Sequence, residues 1–274
     1  MRTILITGCS SGIGYDAAVT LKARGWRVFA ACRQQIDVDR LRAEGLEAVL
    51  LDYRDSAGMQ AAVSEVLEAT GGTLDALFNN GAFALPGFVE DLPRDGLRDI
   101  FEVNLFGQFE LINLLMPTFR AQGRGRIVNC SSVLGIAAMR GRGAYNATKF
   151  AMEGLSDTMR VELHGSGIDL SLILPGPIPT RIRQNAQANF ETWIDWQGSA
   201  RRAEYEAEVM PRLYDESGTP DPFEQPVSAV TAKLIHAVEA RRPHARYYVT
   251  AGTWIARALT HLPTRWRDMV MRRS

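Results

Sequence analysis

Residues 3–14 read Thr3-Ile4-Leu5-Ile6-Thr7-Gly8-Cys9-Ser10-Ser11-Gly12-Ile13-Gly14, an apolar run that breaks into spaced glycines and leads into a helix-like stretch over 15–23. Glycines let the backbone turn sharply, and they let a pyrophosphate approach the helix N-terminus, where free N–H groups and the dipole favour negative charge. Glycines alone would equally make a tight structural turn. Their setting, strand before and helix after, at the start of a strand-helix alternation, favours a dinucleotide cradle. Gly8, Ser10, Ser11, Gly12, Ile13 and Gly14 are the candidate contacts, and the spacing is GxxxGxG rather than the commoner GxGxxG.

Outward from this turn, short apolar runs at 4–6, 28–31, 48–51, 74–78, 127–128 and 170–174 alternate with helix-length segments. Strand, helix, strand in repetition makes a parallel sheet covered by helices on both faces, because parallel neighbours need right-handed crossovers. The expected fold is α/β and doubly wound, in one domain over residues 1–274. The two longest helices are expected over 95–122 and 145–163. After Pro175 the pattern loosens as far as about Pro226, a stretch holding Phe190, Trp193, Trp196, Tyr205, Tyr214 and Phe223. A substrate lid over about 177–225 is expected, an ordinary helical excursion being the alternative.

The 274 residues carry 31 Lys or Arg and 31 Asp or Glu, so no global charge draws the chain to nucleic acid or to an anionic membrane. With 46% hydrophobic residues, disorder is excluded as well. Cys9, Cys32 and Cys130 are too scattered for a disulfide framework, and the four histidines lack metal-binding spacing, so no metal is expected. No apolar run serves as a signal peptide or a membrane span, and a cytoplasmic location is expected. Neutrality is nevertheless a cancellation: residues 241–274 hold eight Arg and one Asp, so the other 240 carry 23 basic and 30 acidic groups. That tail, amphipathic over about 252–274, could lie on a membrane, but Pro263 divides it, and packing beside a cleft or a subunit neighbour is favoured.

Tyr145 and Lys149 stand four apart in a helical segment, so both meet one ligand. Only Lys22, Lys149 and Lys233 occur against 28 arginines, which sets this lysine apart from surface filler. Moving a tyrosine from about 10 to near 7 takes roughly 4 kcal/mol, which an ammonium and a positively charged nicotinamide could share. Such a tyrosine exchanges a proton with a substrate oxygen. Ser132, thirteen residues earlier, ends a strand where a hydroxyl can bind the same oxygen, and Ser131 would do nearly as well. No GxSxG elbow or suitably placed histidine supports a serine hydrolase. Arg33 follows the second strand where NAD-binding folds place an acid, and no acid occurs there before Asp37. Arg33 could meet a 2′-phosphate or be a solvated surface arginine. Asp52 is a candidate for the adenine amino group or a simple turn former.

Over about residues 1–180 these motifs, in this order, resemble the short-chain dehydrogenase/reductase family: Thr7 to Gly14 its TGxxxGxG, Tyr145 to Lys149 its YxxxK, and Ser132 its serine. The resemblance implies a Rossmann fold with a mostly parallel seven-stranded sheet and a dimer or tetramer formed through the two long helices. It further implies that Asn104 supports a proton relay through its main chain, that Lys149 also binds ribose, and that Pro175, Ile178 and Thr180, in a PGxxxT segment, reach the carboxamide side of the nicotinamide. Asn79 and Asn80 match the family's cofactor-contacting NNAG, but Gly81-Ala82 exchanges its last two residues, and Pro179 stiffens a segment that often moves. The nearest branch resembles retinol and 17β-hydroxysteroid dehydrogenases, which implies an apolar carbonyl or alcohol substrate. The expected protein is an oxidoreductase that prefers NADP(H) to NAD(H), the alternative being an NADP(H) sensor without turnover.

Overall fold

The computed structural model describes residues 1–215, 217 and 219–271. Its first half alternates β1 (Thr3–Thr7), α1 (Gly12–Ala23), β2 (Arg27–Cys32), α2 (Gln35–Ala43), β3 (Glu47–Leu50), α3 (Ser56–Ala69) and β4 (Ala76–Asn79). Then come α4 (Arg94–Phe101), α5 (Gly107–Gln122), β5 (Gly125–Cys130), α6 (Gly143–Glu162) and β6 (Ile168–Leu174). The chain continues with α7 (Ile182–Trp193), the short α8 (Arg202–Glu204) and α9 (Met210–Leu213), α10 (Val227–Glu239), β7 (Arg246–Tyr248), α11 (Ala251–Leu259) and α12 (Thr264–Met271). The strands form one sheet in the order β3-β2-β1-β4-β5-β6-β7, every pairing parallel. This is the doubly wound Rossmann arrangement that the apolar periodicity predicts.

Alternation along β1 explains the layering. Ile4 and Ile6 pack on one face with α1, α2 and α10, whereas Leu5 enters the cluster on the other face with α3, α5 and α6. A strand buried on both faces needs apolar residues throughout, which is why 4–6 is unbroken Ile-Leu-Ile. The strand order reverses between β1 and β4, and their carboxyl ends open the crevice in which such sheets hold ligands.

Two details depart from the sequence-based picture. The helix expected over 95–122 is two helices joined by a π turn at Glu102–Phe106. The apolar runs also miss β7, whose Arg-Tyr-Tyr has a polar start and only three residues. Where α5 begins, Gly107 lies against the loop after β3: a Cβ there would sit 2.4 Å from the Tyr53 carbonyl oxygen and 2.9 Å from its Cα. Backbone cannot yield as a flexible side chain can. Gly107→Ala is therefore expected to destabilise the fold by about 1–3 kcal/mol, seen as a lower urea midpoint with an unchanged m-value.

Candidate active site

The loops after β1 and β4 meet closely. Gly8 has φ +69°, and a Cβ there would lie 2.8 Å from Gly81 Cα; one on Gly14 would lie 2.3 Å from the Gly8 carbonyl oxygen. Only glycine permits both approaches. Ser11 precedes α1 in extended conformation and makes no side-chain cap bond, so the first amides and the positive end of the helix dipole suit an anion. Ile13 packs against the α1-side core and Ser10 offers its carbonyl to Arg40 at 2.8 Å. This cradle fits the pyrophosphate of a nicotinamide dinucleotide.

Arg33 is exposed just beyond β2. Asp37, the first acid after it, is paired with Arg40 at 3.2 Å. Sequence reading overlooks Arg40, because only the fold returns α2 to the glycine turn. Asp52 accepts the Arg54 amide at 3.0 Å, its turn-forming use.

Thr7, Tyr53 and the asparagine pair form the crevice floor. Thr7 Oγ1 accepts the Asn80 amide at 2.9 Å and the Gly81 amide at 3.2 Å, and it lies 2.7 Å from Tyr53 Oη. Asn79 is fully buried, accepting from Tyr53 at 2.9 Å and donating to the Gln108 carbonyl at 3.2 Å and Asn129 at 3.1 Å. Its side-chain polar atoms are thus engaged inside the protein, where they position the end of β4. Asn80 remains at the crevice, half-buried, donating to the Thr7 carbonyl at 3.1 Å.

Across the sheet, α6 presents Tyr145, Lys149 and Glu153 one turn apart on one face. Lys149 is buried, its Nζ donating to the Cys130 carbonyl at 2.7 Å and lying 5.5 Å from the Tyr145 ring centroid. Burial pulls its pKa down to about 8, while Cys130 and Glu153 resist that fall. Tyr145 is half-buried. Burial first and then Cys130 push its phenol up; hydrogen bonding from Ser132 and the charge of Arg142 pull it back. The two serines differ in their surroundings: Ser132 faces Tyr145 and accepts the Leu134 amide at 3.1 Å, whereas buried Ser131 sits beside Gly135 and Glu153.

Asn104 lies in the π turn, a helix irregularity common at functional sites. Its side chain brackets Phe83, accepting the amide at 3.0 Å and donating to the carbonyl at 2.8 Å, and reaches Thr148 at 3.4 Å. Glu153 and Arg142 escape sequence reading. Glu153 pairs at 2.8 Å with Arg246, 93 residues away. Arg142, one residue ahead of α6, has its pKa lowered to about 10 by burial and by the like charges of Arg212 and Arg183.

The Pro175 carbonyl accepts the Val133 amide at 2.7 Å, binding this segment to the Ser132 turn. Ile178 packs on the α1-side core, and a Cβ on Gly12 would meet Thr180 Cγ2 at 3.0 Å, so the segment lies over the glycine turn. Beyond it, Phe190 and Tyr205 are fully buried, and Tyr205 Oη donates to Asp91 and accepts from the Phe88 amide. These two aromatics fasten the region 182–213 onto the loop after β4.

The sequence matches the short chain dehydrogenase family over residues 2–191. It is 37% identical to the uncharacterized oxidoreductase YbbO of Escherichia coli (strain K12), over 98% of this chain and 94% of that one. It is 33% identical to retinol dehydrogenase 16 of Mus musculus, over 96% of this chain and 85% of that one. A short chain dehydrogenase/reductase from Burkholderia phymatum, solved in complex with NAD, superposes with a TM-score of 0.78 at 26% identity, covering 100% of this chain and 95% of that one.

The drop of Lys149 from 10.5 to about 8 corresponds to about 3 kcal/mol against its charged form in the fold. Because the unfolded state binds the proton more tightly, that cost is fully present below pH 8 and is relieved as pH rises through 8 to 10.5. Lys149→Met is expected to abolish turnover yet unfold at no lower urea concentration at pH 7, its stability advantage over wild type shrinking by pH 10.

Proposed function

As the chain belongs to the short-chain dehydrogenase/reductase family and is an oxidoreductase, we propose that it interconverts an apolar carbonyl compound and its alcohol with a preference for NADP(H). When bound, the nicotinamide supplies or accepts the hydride. Tyr145 Oη passes a proton to the substrate oxygen in reduction and removes it in oxidation. Ser132 Oγ orients that oxygen, Lys149 Nζ holds positive charge beneath the phenol and meets the ribose hydroxyls, and Asn104 supports the relay. Burial raises the phenol rather than lowering it toward neutrality, so the lowering that the chemistry calls for falls to Lys149 and the bound nicotinamide.

The reaction reading is carried by one observation: Tyr145, Lys149 and Ser132 converge at the carboxyl edge of the sheet, opposite a glycine turn with uncapped helix amides. The cofactor preference rests on exposed Arg33 and on Asp37 being engaged by Arg40. Gly8, Ser10, Ser11, Gly12, Ile13 and Gly14 would hold the pyrophosphate, Asp52 the adenine, Asn80 the crevice side, and Pro175, Ile178 and Thr180 the carboxamide. The region 177–225 serves as the substrate lid and source of specificity. An apolar substrate is supported by likeness to retinol dehydrogenase 16 at 33% identity. A cytoplasmic homodimer or homotetramer completes the proposal, and exposed Phe106, Phe150, Leu155 and Val161 on the long helices support the assembly.

Tyr145→Phe is expected to lower kcat for carbonyl reduction by at least about a thousandfold, leaving NADPH affinity by fluorescence titration nearly unchanged; an active variant would remove the acid-base assignment. Arg33→Ala should weaken NADPH about tenfold and leave NADH unaffected. Equal binding of both cofactors by wild type would overturn the preference.

A further inference from the structure

We propose that α11 and α12 seat the protein on an anionic phospholipid surface, with the apolar row formed by Trp254, Ile255, Leu262, Trp266, Met269 and Val270 entering the headgroup layer. The row is exposed: Trp254 is 57% and Trp266 64% accessible, and Met269 is 61%. In α12, residues 266, 269 and 270 share one face by helical spacing, and no described residue of that helix is buried. By contrast, Thr253 and Ala256 turn the inner side of α11 into the protein, against the Val133–Gly135 turn. Trp254 and Ile255 therefore stand on a helix whose inner side is packed.

Charge selects the occupant. Exposed Arg265 and half-buried Arg257 and Arg267 border the row, and residues 241–274 carry eight Arg against one Asp. A second copy docked through the same face would bring the like charges of Arg257, Arg265 and Arg267 from both copies together. An acidic protein surface would answer the arginines but leave the tryptophans in water. A bilayer rich in anionic headgroups offers charge and an apolar layer in one plane, and arginine and tryptophan both suit that depth by an apolar body with a polar end. No helix among the described residues is long and apolar enough to cross a membrane, so the contact lies in the surface.

The position of the tail gives the contact a purpose. A Cβ on Gly252 would meet Phe223 at 3.4 Å, and the Trp254 ring lies 4.7 Å from that of Tyr248. Phe223 is 55% exposed, and two residues later the Gln225 amide donates to the Pro177 carbonyl at 3.2 Å. Exposed Phe223 thus stands between the tail and the Pro177 segment beside the Ser132 turn, where a substrate dissolved in lipid would arrive. This purpose rests on the proposed apolar substrate; the docking does not.

The experiment is flotation of the full chain with vesicles of phosphatidylglycerol and phosphatidylcholine in equal parts, against phosphatidylcholine alone. Binding should be at least about tenfold tighter to the anionic vesicles and should fall in 0.5 M salt. Trp254→Ser with Trp266→Ser, and separately Arg265→Glu with Arg267→Glu, should each weaken it about tenfold. Their melting temperatures and turnover of a water-soluble aldehyde report whether the fold and the proposed activity persist. Failure of wild type to float, or equal flotation on both vesicles, overturns the docking. So does a tryptophan variant that floats unchanged while its oligomer, by light scattering, dissociates. Flotation without turnover of any carbonyl would instead defeat the enzymatic reading alone.

Discussion

Lys149 Nζ has almost no contact with water and donates to one main-chain carbonyl, that of Cys130 at 2.7 Å. Holding a cation there costs about 3 kcal/mol, and the half of the molecule around α6 is arranged to bear it. The Cys130 carbonyl is aimed by β5, whose ladders to β4 and β6 fix its register on both sides. Glu153, one turn further along α6, places negative charge beneath the ammonium. That carboxylate is itself mostly buried and is held by Arg246 on β7, which also grips Asp157 at 2.7 Å. The edge strand, only three residues long, clamps α6 through an ion-pair network in which Glu153 is buried and Asp157 half-exposed. Removing one partner of such a network leaves the others unpaired, which is where its structural weight lies.

The cofactor half obeys a different constraint. Thr7 Oγ1 and the buried amides of Asn79 and Asn129 tie the ends of β1, β4 and β5 together, with Tyr53 reaching in from the loop after β3. A polar cluster at this depth is tolerated only because its members find partners. Burial drives the Tyr53 phenol upward, keeping its hydroxyl available as a donor. The result is a rigid floor under two touching glycine loops, so the exchange of Gly81 and Ala82 is readable in physical terms. Gly81 stands where its Cα meets the space a Gly8 side chain would need, and a Cβ of its own would come within 3.1 Å of the Tyr53 ring.

What could be read before the fold was known follows from range. The glycine turn, the Tyr145–Lys149 pair and the alternation of strands and helices are local patterns, with all their information inside one element. The choice between Ser131 and Ser132 was not local, since adjacent residues of an extended strand face opposite ways and only the packing of α6 tells which way is the site. That the Asn79 side chain turns into the floor, toward Tyr53, Gln108 and Asn129, is likewise set by residues distant in sequence. Arg246 and Glu153 lie 93 residues apart, and no spacing rule joins them. The π turn at Asn104 left no mark on periodicity either, because one extra residue in a turn shifts the apolar phase without ending the helix.

The large aromatics after Pro175 illustrate the same limit with a further consequence. Phe190 and Tyr205 are spent on packing, and Tyr205 reaches Asp91 and the Phe88 amide to anchor the region 182–213. Charged residues of the same region form a network of their own. Arg183 pairs with Asp221 at 2.6 Å and Arg212 approaches the same carboxylate at 4.0 Å, while Arg142 feels both like charges with Asp221 as its counterweight. Because the Arg142 charge favours the Tyr145 phenolate through space, the phenol is tuned from two sides, by Ser132 within hydrogen-bonding reach and by a guanidinium at the start of its own helix. A displacement of Arg212 or Asp221 would therefore act on Arg142 first and on the Tyr145 phenol second. The electrostatic surroundings of Tyr145 are thus coupled to the region 182–213 through three arginines contributed by three separate elements.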